Sequence, residues 1–228
     1  MLGKLKKYNV FLSDSGKITN NYKDVLINNE IEWEDGGHTE SEILTADLVV
    51  KSPGIPDHLT IVQKLQYATI PVVSEIEFAA SNTTANIIGI TGSNGKTIVK
   101  EWLFQLLSSN YNIVRSPKSY NSQLGVALAL WEMTDNHTLS IIEAGISKPG
   151  EMDKLARMIQ PSIGILTHMG EAHAEGFLSF EAKLAEKLKL FKGVQTLVIS
   201  DEYALAANVP TFVWGKHASA DLQVQESN

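Results

Sequence analysis

Ile87-Ile88-Gly89-Ile90-Thr91-Gly92-Ser93-Asn94-Gly95-Lys96-Thr97 is the stretch whose reading decides the fold of this chain. The apolar run at its start reads as a short buried strand. Beyond it, Val99, Trp102, Leu103, Leu106 and Leu107 recur at helical spacing, predicting a helix over 98–107. A strand, a glycine loop and Lys-Thr at a helix start wrap backbone N–H groups around a polyphosphate. Gly92 and Gly95 permit positive φ and close backbone approach. In such a loop Lys96 reaches the β- and γ-phosphates, and the Thr97 hydroxyl holds Mg²⁺. The general pattern places a further glycine where this chain has Ile90, so the loop is a P-loop variant. Thr91, Gly92, Ser93, Asn94, Gly95, Lys96 and Thr97 are thus expected to bind a nucleoside triphosphate with Mg²⁺.

Outward from that loop, strands and helices alternate. Strands are expected at 86–91, 112–115, 139–143, 163–167, 196–200 and 211–214, with helices at 98–107, 123–131, 151–159 and 180–191. That alternation implies a mostly parallel sheet covered by helices on both faces, with ligands bound beyond the carboxyl ends of its strands. Before the loop lies a smaller, Rossmann-like α/β unit, with strands at 10–12, 47–50 and 70–73 and a helix at 59–67. Its turns are set by Ser13-Asp14-Ser15-Gly16 and Lys51-Ser52-Pro53-Gly54-Ile55-Pro56. The polar cluster Ser81-Asn82-Thr83-Thr84 marks the expected boundary between domains 1–84 and 85–228.

Composition narrows the function. At 228 residues, with 43% hydrophobic and 20% charged side chains, the chain can form a core as one large or two small domains. A net charge of −7 with no basic stripe argues against nucleic acid as a general partner. The absence of cysteine rules out disulfides and thiolate metal sites. No apolar stretch approaches the roughly 18–20 residues of a membrane span, and the basic start lacks an apolar h-region behind it. A cytoplasmic monomer without membrane insertion is the expectation.

Four further positions carry chemistry. Glu143 ends the apolar strand Leu139-Ser140-Ile141-Ile142, where a carboxylate beside a P-loop suits a magnesium ion; the plain alternative is a solvated strand end. His173, within Gly170-Glu171-Ala172-His173-Ala174-Glu175-Gly176, reads as a metal ligand or polar contact, or as an exposed bystander. Lys187 points out of the apolar face of its helix: at about 100° per residue, Phe180 lies ~20° from it and Phe191 ~40°. A buried ammonium must snorkel, find an anion or be modified. Asn121, in Ser119-Tyr120-Asn121-Ser122-Gln123-Leu124-Gly125, is either an N-cap or a substrate contact.

Together these residues resemble the Mur ligases, which join amino acids to the nucleotide-linked precursor of peptidoglycan. From about 93 to 215 the resemblance is to the branch that adds D-alanyl-D-alanine. It is carried by the loop, Ser119-Tyr120-Asn121-Ser122, Glu143-Ala144-Gly145-Ile146, Pro149-Gly150-Glu151-Met152 and Gly170-Glu171-Ala172-His173. From 8 to about 90 it is to the branch that adds D-glutamate, carried by Ser13-Asp14, Gly36-Gly37-His38-Thr39, Val49 to Pro56 and Ser74-Glu75-Ile76-Glu77-Phe78-Ala79. The chain therefore looks like a hybrid joined at the P-loop.

The resemblance implies an ATP-dependent ligase that phosphorylates the carboxylate of a UDP-linked muramoyl peptide and transfers the acyl group to an amino-acid or dipeptide acceptor. It implies Mg²⁺ held by Thr97, Glu143, His173 and a carbamylated Lys187, with Lys96, His173 and Lys187 in catalytic roles. Asp14, Ser52, Pro53 and Gly54 would contact the uridine nucleotide, and Asn121 the substrate. D-alanyl-D-alanine is the acceptor favoured by the central segment, D-glutamate the alternative. The family's opening glycine loop and third domain fall outside this sequence, so a nucleotide-binding fragment without turnover is the rival expectation.

Overall fold

The computed structural model describes residues 1–170 and 176–225. By backbone contacts the chain divides into two units, Met1–Ala79 and Ala80–Asn228, a few residues ahead of the polar cluster expected to mark the boundary. Among the described residues no helix is long and apolar enough to cross a membrane.

The first unit runs α1 (Leu2–Leu5), β1 (Phe11–Asp14), α2 (Asn20–Asn28), β2 (Glu32–Asp35), α3 (Glu40–Ile43), β3 (Val49–Lys51), α4 (Thr60–Tyr67), β4 (Val72–Ser74) and α5 (Glu75–Ser81), within which the division falls. Its strands form two separate parallel pairs, β1 with β2 and β3 with β4. β2 was not expected, because Glu32-Trp33-Glu34-Asp35 has no apolar alternation. Its acids are satisfied locally instead. Asp35 takes Lys23 at 2.8 Å and Lys17 at 2.9 Å, and Glu34 accepts from Ser13 Oγ at 2.7 Å and Thr39 N at 2.8 Å. β4 begins after Pro71, whose ring nitrogen has no proton to donate, while its carbonyl accepts from Val49 N at 2.9 Å.

The second unit runs β5 (Asn86–Thr91), α6 (Lys96–Leu107), β6 (Ile113–Arg115), α7 (Gln123–Trp131), β7 (Leu139–Glu143), α8 (Glu151–Ile159), β8 (Ile163–Leu166), α9 (Phe180–Leu188), a 3₁₀ turn at Lys189–Phe191, β9 (Thr196–Ser200), a second 3₁₀ turn at Ala204–Ala206, β10 (Thr211–Gly215) and β11 (Leu222–Gln223). The sheet has seven strands in the order β11-β10-β9-β8-β5-β7-β6, every pair parallel. β7 is buried along its whole length and β5 at all but its first residue, as expected of strands covered on both faces. Alternation along β5 sorts the layers. Ile88 and Ile90, with Leu139 and Ile141, pack against Val99, Leu103, Phe104 and Leu107 of α6. Gly89 faces the other way, where a Cβ would come within 3.0 Å of Pro161 and 3.5 Å of Leu190. Gly164 makes the same accommodation, since a Cβ there would lie 2.5 Å from the Phe191 ring.

Of the apolar residues whose spacing predicts α6, Val99, Leu103 and Leu107 pack inward together with Phe104, while Trp102 and Leu106 lie on the solvent side, at 58% and 73% exposure. One expectation needs correction. The helix expected through residue 191 ends at Leu188 and tightens into the 3₁₀ turn, which sets Leu190 and Phe191 against Gly89 and Gly164.

From β5 the chain travels outward to β6, returns to β7, then crosses to β8 on the other side of β5. This reversal of direction leaves a crevice beyond the carboxyl ends of the central strands. Register places Ile90 beside Glu143 and Thr91 beside Leu166, so the P-loop, Glu143 and Thr167 reach one level.

Candidate functional site

The loop from Thr91 to Thr97 is fixed at both ends. Thr91 is fully buried and its hydroxyl donates to Ala144 O at 2.8 Å, so this side chain braces the sheet rather than facing the crevice. Thr167 donates from N at 2.8 Å and from Oγ1 at 3.1 Å to Thr91 O. The N–H groups of Ser93 and Asn94 both donate to His168 O, at 2.8 and 3.2 Å. Gly92 has φ 150° and a Cβ there would lie 2.0 Å from Thr167 Oγ1, so no side chain fits. Gly95, at φ 88°, is the left-handed N-cap of α6, and no side chain caps the helix. The first-turn N–H groups have no acceptor within the helix and carry its positive end.

Two lysines converge on the loop. Lys96 Nζ donates to Gly92 O at 2.8 Å and Ser93 O at 3.1 Å, and Lys187 Nζ donates to Gly92 O at 3.3 Å. Lys187 is 1% exposed; snorkelling, the commonest fate of a lysine on an apolar face, does not occur. Ser179 caps its helix by accepting from Ala182 N at 3.1 Å.

Glu143 is also fully buried, not a solvated strand end. Its Oε2 accepts the Thr97 hydroxyl at 3.1 Å and its N–H donates to Ser116 Oγ at 3.0 Å. Lys100 Nζ lies 2.9 Å from Oε1, yet that oxygen receives no directed hydrogen bond; the approach is ionic. A buried carboxylate whose Oε2 meets a hydroxyl offers the hard oxygen donors that Mg²⁺ prefers, and magnesium needs few protein ligands because it retains water and phosphate oxygens. Thr97 and Glu143 therefore fit the ion. No cluster of three or more His, Asp or Glu occurs among the described residues; His173 lies outside them.

A crevice of about 520 Å³ opens beside these groups, lined by Lys96 and Lys187 together with Asn121 to Leu124, Gly145 to Ser147 and Glu151. Asn121 is not the helix cap: Ser122 is, accepting from Gly125 N at 3.3 Å. Asn121 O instead accepts from Gly145 N at 2.8 Å, and a Cβ on Gly145 would lie 2.4 Å from Asn121 Oδ1, so the glycine makes the close crossing possible. Glu151 accepts from Ser147 N at 2.7 Å and Lys148 N at 3.0 Å. Those bonds, the first the stronger, hold its carboxyl below the usual range against the opposing effect of burial. Sequence reasoning missed Glu151 as a lining group and Lys100 altogether; the available signal for Lys100 was its place one helical turn after Lys96.

In the first unit, Asp14 ends β1 and its Oδ1 accepts from Gly16 N at 2.8 Å. Ser52, Pro53 and Gly54 follow β3, and Ser52 Oγ donates to Glu75 Oε1 at 2.7 Å. Both positions lie at carboxyl ends of strands, but in different two-stranded sheets. A groove of about 480 Å³ in this unit is lined by Leu44, Thr60, Gln63, Lys64, Tyr67 and Ala68, none of them expected.

A parallel sheet with this loop at its switch point defines a P-loop α/β protein. Residues 90–224 match the model of the Mur ligase middle domain, and residues 1–61 that of the MurD N-terminal domain. The chain belongs to the Mur ligase family. It is 40% identical over 191 residues to the UDP-N-acetylmuramoylalanine–D-glutamate ligase of Christiangramia forsetii, a match covering 83% of this chain and 41% of that protein. It is 29% identical over 178 residues to the UDP-N-acetylmuramoyl-tripeptide–D-alanyl-D-alanine ligase of Bacillus subtilis, covering 75% and 37% respectively. The chain thus spans less than half the length of these relatives. The crystal structure of MurF from Acinetobacter baumannii superimposes with a TM-score of 0.60 at 23% identity, covering 66% of this chain and 35% of that one; this likeness shows the fold.

Proposed function

We propose that the chain is the carboxylate-activating part of an ADP-forming amide ligase of peptidoglycan precursor synthesis. The observation that carries this reading is the convergence of Lys96 and Lys187 on one crevice that Asn121 also lines, with the hydrogen-bonded pair Thr97 and Glu143 close to Lys96 and Gly145 in the chain. A carboxylate oxygen of a UDP-linked muramoyl peptide attacks the γ-phosphorus of ATP, giving an acyl phosphate and ADP. The acceptor amine then attacks the acyl carbon, loses a proton and expels phosphate. The α6 N-terminus and Lys96 bind and orient the phosphates, supplying fixed positive charge where negative charge accumulates. Asn121 offers an amide to the donor substrate.

Thr97 and Glu143 would hold Mg²⁺, which neutralises phosphate charge when bound. His173 and a carbamylated Lys187 complete the proposed metal set, and Asp14, Ser52, Pro53 and Gly54 the proposed uridine contacts. Carbamylation would exchange an ammonium for a carboxylate beside the metal, a use for a lysine that is buried at the loop.

D-glutamate is the acceptor favoured by the Christiangramia relative, whose match extends over most of the chain. D-alanyl-D-alanine remains a second reading, supported by the central-segment motifs and the Bacillus relative. The test incubates the chain with ATP, Mg²⁺ and a UDP-linked muramoyl peptide, trapping acyl phosphate with hydroxylamine. Hydroxamate that requires both ATP and the muramoyl peptide supports the reading. ADP release at the same rate with and without that peptide counts against it. Adding each acceptor in turn then separates the two acceptor readings by the amide formed.

A further inference from the structure

Lys100 is fully buried and meets four oxygens. It stands one turn beyond Lys96 on α6 and takes no part in lining the crevice. Its Nζ lies 2.9 Å from Glu143 Oε1 and 3.2 Å from Glu101 Oε1, and it donates to Ser116 O at 2.8 Å and to Lys118 O. These oxygens come from three pieces of chain: α6 itself, the end of β7, and the loop between β6 and α7. A second observation points to the same spot. Lys118 has φ 49°, a left-handed conformation that a non-glycine residue keeps only when its surroundings enforce it. Ser116 closes the arrangement from the other side, its Oγ accepting from Glu143 N at 3.0 Å. A buried ammonium is costly unless it is paired and hydrogen-bonded, and here two carbonyls accept from it while two carboxylates balance its charge.

We propose that Lys100 is a positioning residue: it holds Glu143 by Oε1 so that Oε2 faces Thr97, and it ties the loop leading to Asn121 to the same helix that bears Lys96. The inference rests on the ligase reading for its functional meaning, since it assigns Lys100 control over the cation that Glu143 and Thr97 would share with a nucleotide. An ordinary scaffold lysine would hold the fold without influencing that cation. Lys100 acts through Glu143, so its effect on cation binding disappears once Glu143 can no longer serve.

The experiment measures ADP affinity of the full chain by calorimetry, once with Mg²⁺ and once with EDTA, for wild type, Lys100→Met, Glu143→Gln and the double variant. The ratio of the two affinities is the gain contributed by the metal. Removing the partner of a metal-holding carboxylate typically weakens metal binding by about 10- to 100-fold. Lys100→Met is expected to shrink the gain by about tenfold while leaving ADP affinity in EDTA within about twofold of wild type. The double variant is expected to match Glu143→Gln. An undiminished gain in folded Lys100→Met, or a further tenfold loss in the double variant, overturns the proposal. If Lys100→Met does not fold, Lys100→Gln carries the same expectations.

Should wild type bind ADP equally with and without Mg²⁺, the metal assignment fails by itself. The positioning claim is then decided by the crystal structure of Lys100→Met. Glu143 turned away from Thr97, with the 116–118 loop displaced, supports it. An unmoved carboxylate and loop overturn it.

Discussion

All five residues of β7 are buried, whereas all four residues of β1 and all four of β2 are exposed or half-buried. The two units of the chain are held by different physics. In the second, a seven-stranded parallel sheet provides a dry frame, and the residues with chemistry stand where its central strands end. In the first, two-stranded pairs are braced by turns and ion pairs, such as the two lysines on Asp35. Isolated pairs of strands are marginal in water, and surface ion pairs contribute little each. The contrast explains where buried charge is tolerated: Lys100, Glu143, Lys183, Glu186 and Lys187 all lie in the second unit, where a rigid frame fixes their partners.

Core truncation breaks or sharpens this comparison most strongly. Ile90 is fully buried between β7 and β8, so Ile90→Ala should cost about 2–5 kcal/mol of stability in urea unfolding. Leu26→Ala in α2, where the surrounding layer is thin, should cost less and affect only the unfolding of the first unit. Equal losses at the two sites would mean that the first unit has a core as well packed as the second.

A smaller effect is expected from charge. Lys23, then Lys17, hold the Asp35 carboxyl down to about 2 from its ordinary 3.8. A carboxyl depressed in the folded state stabilises above its unfolded value, and that contribution disappears as pH falls through the folded one. Stability of the first unit should therefore decline between about pH 4 and pH 2, and Asp35→Asn should flatten that part of the acid-unfolding profile. An unchanged profile would place the acid sensitivity elsewhere, for instance at Glu34, which bonds to Thr39 and Ser13 also hold below the usual range.

Much of the second unit was legible in the sequence because each central strand is a continuous apolar run bounded by turn residues. Strands at Asn86–Thr91, Leu139–Glu143 and Thr196–Ser200 fall where that pattern puts them. The inward course of Lys187 followed from helical spacing, because Phe180, Leu184 and Phe191 left it no polar face. β2 was illegible because tertiary partners, not its own pattern, satisfy Glu34 and Asp35. For Lys100 the sequence offered only its place one turn after Lys96: nothing in the helix itself reveals that carbonyls from Ser116 and Lys118 meet its ammonium. Trp102 and Leu106 mark the helix by their spacing without marking its buried face, since α6 turns both to solvent.

The central claim is that the loop from Gly92 to Thr97 cradles a nucleotide polyphosphate with Lys96 as its mobile cation. It is tested by titrating a fluorescent ATP analogue, with Mg²⁺ present, into wild type and Lys96→Ala. Loss of a charge-assisted bond of about 1.5–3 kcal/mol predicts that Lys96→Ala binds at least about tenfold more weakly. Equal affinities in the two proteins would contradict the account.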